Sequence, residues 1–112
     1  MKSWRTIALS LALAAPAVVA ADVSPIKAAR LRFGHVASRA VANFRSADSI
    51  ERNLRAHGST LHPALAALRT RIESALDDAE EALANGDAAE TEDSARRAEA
   101  LLDKFAAAIG GA

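Results

Sequence analysis

The amino-acid sequence predicts an all-α protein, an up-down-up antiparallel three-helix bundle with coiled-coil-like packing that follows an N-terminal signal peptide. The chain of 112 residues contains 30 alanines, and alanine has the highest intrinsic helix propensity. Apolar residues recur at spacings of three and four residues along three long stretches, which is the periodicity of an amphipathic helix. The two glycine-containing segments between these stretches are short, and short connections favour antiparallel neighbours.

Residues 1–21 have the organisation of a cleaved signal peptide. Basic side chains stand near the start, an apolar stretch covers residues 7–15, and small residues follow Pro16. Crossing a bilayer requires about 20 apolar residues, so this shorter stretch favours cleavage over anchoring. A cut before Ala21 and a cut before Asp22 fit the pattern almost equally well.

Export and composition narrow the functions open to the mature chain of residues 22–112. The short basic start and the alanine-rich apolar stretch favour a Gram-negative bacterium, and therefore a periplasmic protein. The sequence has no cysteine, which excludes disulfides, thiolate metal sites and a lipoprotein anchor. Two of the 14 basic residues lie in the signal peptide, so its removal leaves the mature chain with a formal charge of −2. We expect the mature chain to bind no nucleic acid and to have no membrane span.

The three helices are expected at residues 25–56, 61–84 and 87–109. Ser24, which a proline follows, is typical of a helix start. A glycine in each intervening segment suits a helix C-cap, and Ser59 or Thr60 is the expected N-cap of the second helix. Asp87 and Glu90 form an Asp-x-x-Glu variant of the capping box at the start of the third helix.

The apolar spacing also predicts how the helices pack. In the second and third helices the steps alternate between four and three residues, a mean of about 3.5, which favours coiled-coil-like packing. The first helix exceeds the others by about two turns, so its end at residues 25–32 is expected to overhang the bundle. From Val23 onward only 19 residues are valine, isoleucine, leucine or phenylalanine. The core is therefore thin, and we expect a protein partner or self-association.

Charge is divided unevenly among the predicted helices. The first has a net charge of +5 and the others −3 each, so basic side chains of the first are expected to pair with acidic neighbours. Lys27, Arg30 and Arg32 fall on the expected overhang, where no acidic helix would face them. They are the predicted partner-binding residues, suited to an acidic protein or an anionic membrane surface.

A second group of residues predicts weak divalent-metal binding as an alternative. His57 and His62 flank the first connection, and imidazole is a common metal ligand. Glu73, Asp77 and Glu81 share one face of the second helix at four-residue spacing, where carboxylates can collect a hard cation. Surface or capping histidines and a solvated helix face explain the same residues without a metal.

The segment ALANGDAA at residues 82–89, with RAEALL at 97–102, resembles the helical hairpin of a tetratricopeptide repeat. The Trp, Gly and Tyr signature positions of that family are missing, and no second copy follows at a period of about 34 residues. The resemblance therefore implies a helical hairpin only.

No phosphate loop, nucleophile elbow, paired zinc histidines or dinucleotide-binding glycines occur, so the sequence predicts neither an enzyme nor a bound cofactor. We expect a small exported helical bundle that acts as a binding or interaction module and associates with itself or with a protein partner. The alternative is a periplasmic protein that binds divalent metal with low affinity.

Overall fold

The computed structural model of the protein describes residues 24–110, which form three α-helices. Helix α1 covers Pro25–Ala56, α2 covers Pro63–Ala84 and α3 covers Ala88–Gly110, and each helix contacts the other two. No strand occurs in this part of the chain. The predicted all-α three-helix bundle is confirmed, whereas coiled-coil character stays a prediction. The predicted signal peptide and both candidate cleavage positions lie outside the described residues.

Helix α1 begins where the sequence favours a start and runs without a break. The Ser24 hydroxyl accepts a hydrogen bond from the Lys27 backbone N–H at 3.3 Å, and Pro25 occupies the first helical position, where no N–H is needed. The helix ends at Ala56, and His57 is its C-cap residue. Gly58 then adopts a φ of +77°, a left-handed conformation that favours glycine and turns the chain towards α2.

Side-chain caps start the other two helices. His62 lies at the N-cap of α2, where its Nδ1 accepts a hydrogen bond from the Ala64 backbone N–H at 3.1 Å. The expected cap at Ser59 or Thr60 is therefore wrong. The reason is Pro63, because a proline disfavours helical backbone at the residue before it, and His62 is accordingly extended, with a ψ of 136°.

The start of α3 has the Asp87 half of the predicted capping box, whereas the Asp87 backbone N–H donates to the Ala82 carbonyl oxygen at 2.9 Å and the Glu90 carboxylate accepts from Ser94 Oγ. Gly86 adopts a φ of +73° and reverses the chain after α2. Asp87 Oδ1 then accepts a hydrogen bond from the Glu90 backbone N–H at 3.0 Å, which satisfies one of the free donors of the first turn. This short connection holds α2 and α3 together as an antiparallel hairpin.

Within the described residues, the core is a seam of nine alanines with eight larger apolar side chains set into it. Most of its members are alanines, and phenylalanine, leucine and isoleucine supply the bulk. The buried apolar side chains are Ala29, Phe33, Val36, Ala37, Ala40, Phe44, Ala47, Leu65, Ile72, Ala75, Leu76, Ala79, Ala82, Ala95, Ala98, Leu102 and Phe105. Because alanines bury little area but allow close approach of backbones, the fit of the helices depends on their staying small.

The Phe44 ring of α1 contacts both other helices. It meets the Phe105 ring of α3 edge to face, with centroids 5.6 Å apart and an interplanar angle of 83°. The Arg69 guanidinium of α2 lies over the same ring at 4.5 Å from its centroid. Arg69 Nη1 is also 2.7 Å from Asp48 Oδ1 on α1, so an ion pair holds the guanidinium in place.

Contacts between α1 and α3 set their register and overturn the expected overhang. Arg39 Nη2 lies 2.7 Å from Asp103 Oδ1, a separation of 64 residues along the chain. Because both helices have the same rise per residue and run in the same direction, this offset places Pro25 beside the first turn of α3. The overhang predicted for residues 25–32 is wrong, and the extra length of α1 lies at its other end, beyond Gly110.

We predict that the small-residue seam tolerates no added volume. The Ala98 side chain of α3 is fully buried, so Ala98→Leu should lower the free energy of unfolding by about 1–3 kcal/mol through overpacking. The matched control is Ala107→Leu, an exposed position of the same helix, which should leave stability within about 0.5 kcal/mol of the original. Chemical denaturation followed by circular dichroism measures both, and equal stability of the two variants would contradict the packing.

Candidate functional site

The two candidate metal-binding histidines take part in the first loop through their Nδ1 atoms. His57 Nδ1 lies 2.9 Å from the Asn53 carbonyl oxygen, to which it donates as an N–H. His62 Nδ1 accepts the N-cap hydrogen bond from Ala64. Each ring is therefore held by a backbone group of its own segment, and a metal could reach these rings without disturbing that bond only through Nε2.

The candidate acidic ligands lie on α2 but do not gather with the histidines. Glu73 and Asp77 are half-buried and take part in interactions within the protein, whereas Glu81 is exposed. Across residues 24–110, no group of three or more histidine or acidic side chains is placed to hold a metal ion. The geometry of this part of the chain thus offers no assembled metal centre.

We predict that His62 matters for stability because it caps α2. His62→Ala removes the acceptor for the Ala64 N–H and should lower the free energy of unfolding by about 1 kcal/mol. His62→Asn supplies a carbonyl oxygen at the same position and should recover most of that loss. Thermal unfolding measures the difference, about 4–8 °C per kcal/mol for a domain of this size. Equal melting temperatures for His62→Ala and the original chain would contradict a capping role.

The three candidate partner-binding residues of α1 have different surroundings. Arg32 Nε lies 2.7 Å from Glu92 Oε1, and its Nη1 lies 3.1 Å from Glu99 Oε1. The expectation that no acidic helix faces Arg32 is therefore wrong, because the register places α3 beside it. Lys27 and Arg30 are exposed, and neither forms an ion pair with another residue of the described chain.

An exposed leucine lies beside these two cations. Leu31 leaves 53% of its surface in solvent. Among the described residues, it is the one large apolar side chain that is exposed. Arg30 and Leu31 follow Lys27 by three and four residues, so each is a neighbour of Lys27 on the surface of α1, one on either side of it. We call Lys27, Arg30 and Leu31 the basic face. Sequence analysis missed Leu31, although its position off the apolar stripe of the first helix was the available signal.

The basic face lies where a cation is least favourable for the helix. Lys27 is the third helical residue of α1, the position that a capping box gives to glutamate, and no acidic residue occurs in the first turn. The exposed N–H groups there carry a partial positive charge, which repels a cation by about 0.3–1 kcal/mol. Local helix stability therefore does not account for a lysine at this position.

A second surface follows the outer groove between α2 and α3, and sequence analysis missed it. One half, about 390 Å³ in volume, is lined by Arg71, Ser74, Ala75, Arg97, Ala100 and Leu101. The other half, about 200 Å³ and nearer the α2–α3 loop, is lined by Asp78, Glu81, Ala82, Asn85, Asp87 and Glu90. The groove is thus basic at one end and acidic at the other, because the antiparallel hairpin brings together charges that are distant in sequence.

In residues 24–110, none of the helices combines the length and the apolar character needed to cross a bilayer. Comparison with protein-family models, with curated proteins and with solved structures gave no match to this chain.

Proposed function

We propose that this chain is a small exported interaction module, periplasmic after signal cleavage, that binds an acidic protein partner through the basic face of α1. The observation that carries the proposal is the exposed Leu31 beside two cations that make no ion pair with the rest of the described chain. An apolar anchor flanked by charge is a common composition for a protein-binding surface.

The uneven use of the basic side chains supports this proposal. Arg32 and Arg39 pair with acidic residues of α3 and so contribute to holding the bundle together. Lys27 and Arg30 form no such pair, and Lys27 opposes the partial charge of its own helix end. A residue that lowers local stability and makes no compensating contact within the fold is characteristic of a functional surface.

A protein is a better fit to the basic face than an anionic lipid surface. Stable electrostatic attachment to a membrane uses clusters of four to eight basic residues, as a rule, or a broad apolar helix face. The basic face offers two cations and one leucine. The divalent-metal alternative gains no comparable support from the described residues.

We predict that Lys27→Glu raises stability and lowers partner binding. The change completes a Ser-x-x-Glu capping box with Ser24 and removes a cation from the helix start, which should stabilise α1 by about 0.3–1 kcal/mol. It also replaces attraction to an acidic partner by repulsion. Arg45→Glu makes the same charge change at an exposed position of α1 and is the matched control, with neither effect expected. A variant that is destabilised, or that binds as well as the original, would contradict the proposal.

Photo-cross-linking in the native host identifies what the basic face touches. A photoreactive amino acid at Ala28, an exposed neighbour of Lys27, should give a protein adduct that disappears when Lys27→Ser and Arg30→Ser are added. The same group at Ala42, exposed further along α1, should not give that adduct. Adducts with lipid alone, or a protein adduct that survives both serine substitutions, would overturn the proposed partner class.

A further inference from the structure

We propose that the outer groove between α2 and α3 binds the same groove of a second copy of this chain, in an antiparallel arrangement related by a two-fold axis. This site is separate from the basic face, because it lies on the other two helices. The proposal rests on the division of the groove into a basic and an acidic half.

The basic half has side chains suited to receiving carboxylates. Arg71 is exposed and forms no ion pair with another described residue. Arg97 Nη2 donates a hydrogen bond to Ser94 Oγ at 2.8 Å, but its nearest carboxylate oxygens, on Asp78 and Glu90, are 3.7 and 3.9 Å away. Both guanidinium groups therefore keep N–H donors for an incoming acid, above a floor that includes Ala75 and Leu101.

The acidic half supplies those carboxylates. Asp78 and Glu81 continue the exposed stripe of α2 that begins at Arg71 and Ser74, in steps of three and four residues. Glu90 lies across the groove on α3. Among residues 24–110, Arg97 is the only cation paired with this half of the groove: it lies 3.7 Å from Asp78 and 3.9 Å from Glu90, both longer than a good hydrogen bond, and it makes no ion pair with Glu81.

The spacing of the two halves permits a closed pair. Arg71 and Asp78 are seven residues apart on α2, about 10 Å along the helix axis. A two-fold axis midway between the halves places the basic half of each copy over the acidic half of the other. Such an isologous contact makes each charge pairing twice and leaves no open end, so it stops at a dimer.

The same geometry limits the strength of association. The part of the groove that would face the second copy covers a short length of the hairpin, and its floor is mostly alanine. Interfaces of this small extent are weak and wet, and their affinity depends on charge complementarity. We therefore expect a dimer that forms at high protein concentration and low salt and dissociates as ionic strength rises.

Charge reversal with mixing tests the arrangement on the purified protein. Sedimentation equilibrium at low salt should show a monomer–dimer equilibrium for the original chain. Arg71→Glu with Arg97→Glu should weaken the dimer by at least about tenfold, because like charges then face each other. Asp78→Arg with Glu81→Arg should weaken it equally. Mixing the two variants should restore dimers containing one chain of each, since both contacts are again complementary.

Controls separate a change in association from a change in folding. Far-UV circular dichroism and thermal unfolding should show that each variant keeps its helices. If Arg97→Glu unfolds the hairpin, the single variant Arg71→Glu replaces the double variant, because it breaks no ion pair within the described chain. Arg45→Glu with Arg52→Glu reverses two exposed charges of α1 and should leave the dimer intact. Lys27→Glu should also leave it intact, which keeps this test independent of the proposed partner.

Several outcomes would overturn the proposal. A chain that stays monomeric at low salt and millimolar concentration has no such interface. A dimer that persists in both charge-reversed variants uses another surface. Variants that lose the dimer singly but do not form mixed dimers would exclude the antiparallel two-fold pairing.

Discussion

The structure depends first on the contact of the Phe44 ring with both neighbouring helices. Phe105 of α3 meets this ring edge to face, and the Arg69 guanidinium of α2 covers it while an ion pair to Asp48 holds the guanidinium in place. Edge-to-face aromatic pairs have a preferred geometry, so this contact restricts rotation and sliding of α1 along α3 as well as burying area. Nine of the seventeen buried apolar side chains of residues 24–110 are alanines, which are too short to interlock deeply, so this contact helps to define how far the helices slide along one another.

The register that follows decides which charges are used inside the bundle. Once Phe44 and Phe105 are level, Arg39 faces Asp103 and Arg32 faces two glutamates of α3. Exposed ion pairs of this kind contribute little to stability, about 0–1 kcal/mol each, but a shifted register would break the Arg39–Asp103 pair and the double pairing of Arg32. The ion pairs therefore select one arrangement of the helices more than they strengthen it.

The charges that remain define the two surfaces that we interpret as functional. On α1, Lys27 and Arg30 lie near an exposed leucine, and Lys27 lowers the stability of its own helix start. On the α2–α3 hairpin, Arg71 stands at one end of a groove whose other end is acidic. Unpaired charges and exposed apolar side chains lower the free energy of unfolding, and a small domain with a thin core has a small free energy of unfolding to begin with. Binding a partner or a second copy would return part of that stability by mass action.

The three helices are predictable from the amino-acid sequence, because apolar periodicity, proline and capping residues act over a few neighbouring positions. Local chemistry also predicts the Asp87 cap. The cap of α2 falls at His62 and not at the more usual capping residues before it, because Pro63 disfavours helical backbone at the residue that precedes it. The position of Arg32 against α3, and the groove that Arg71 shares with Arg97, become visible only when the helices are packed together. Helix register and groove composition depend on contacts between residues distant in the chain, and periodicity along one helix carries no information about them.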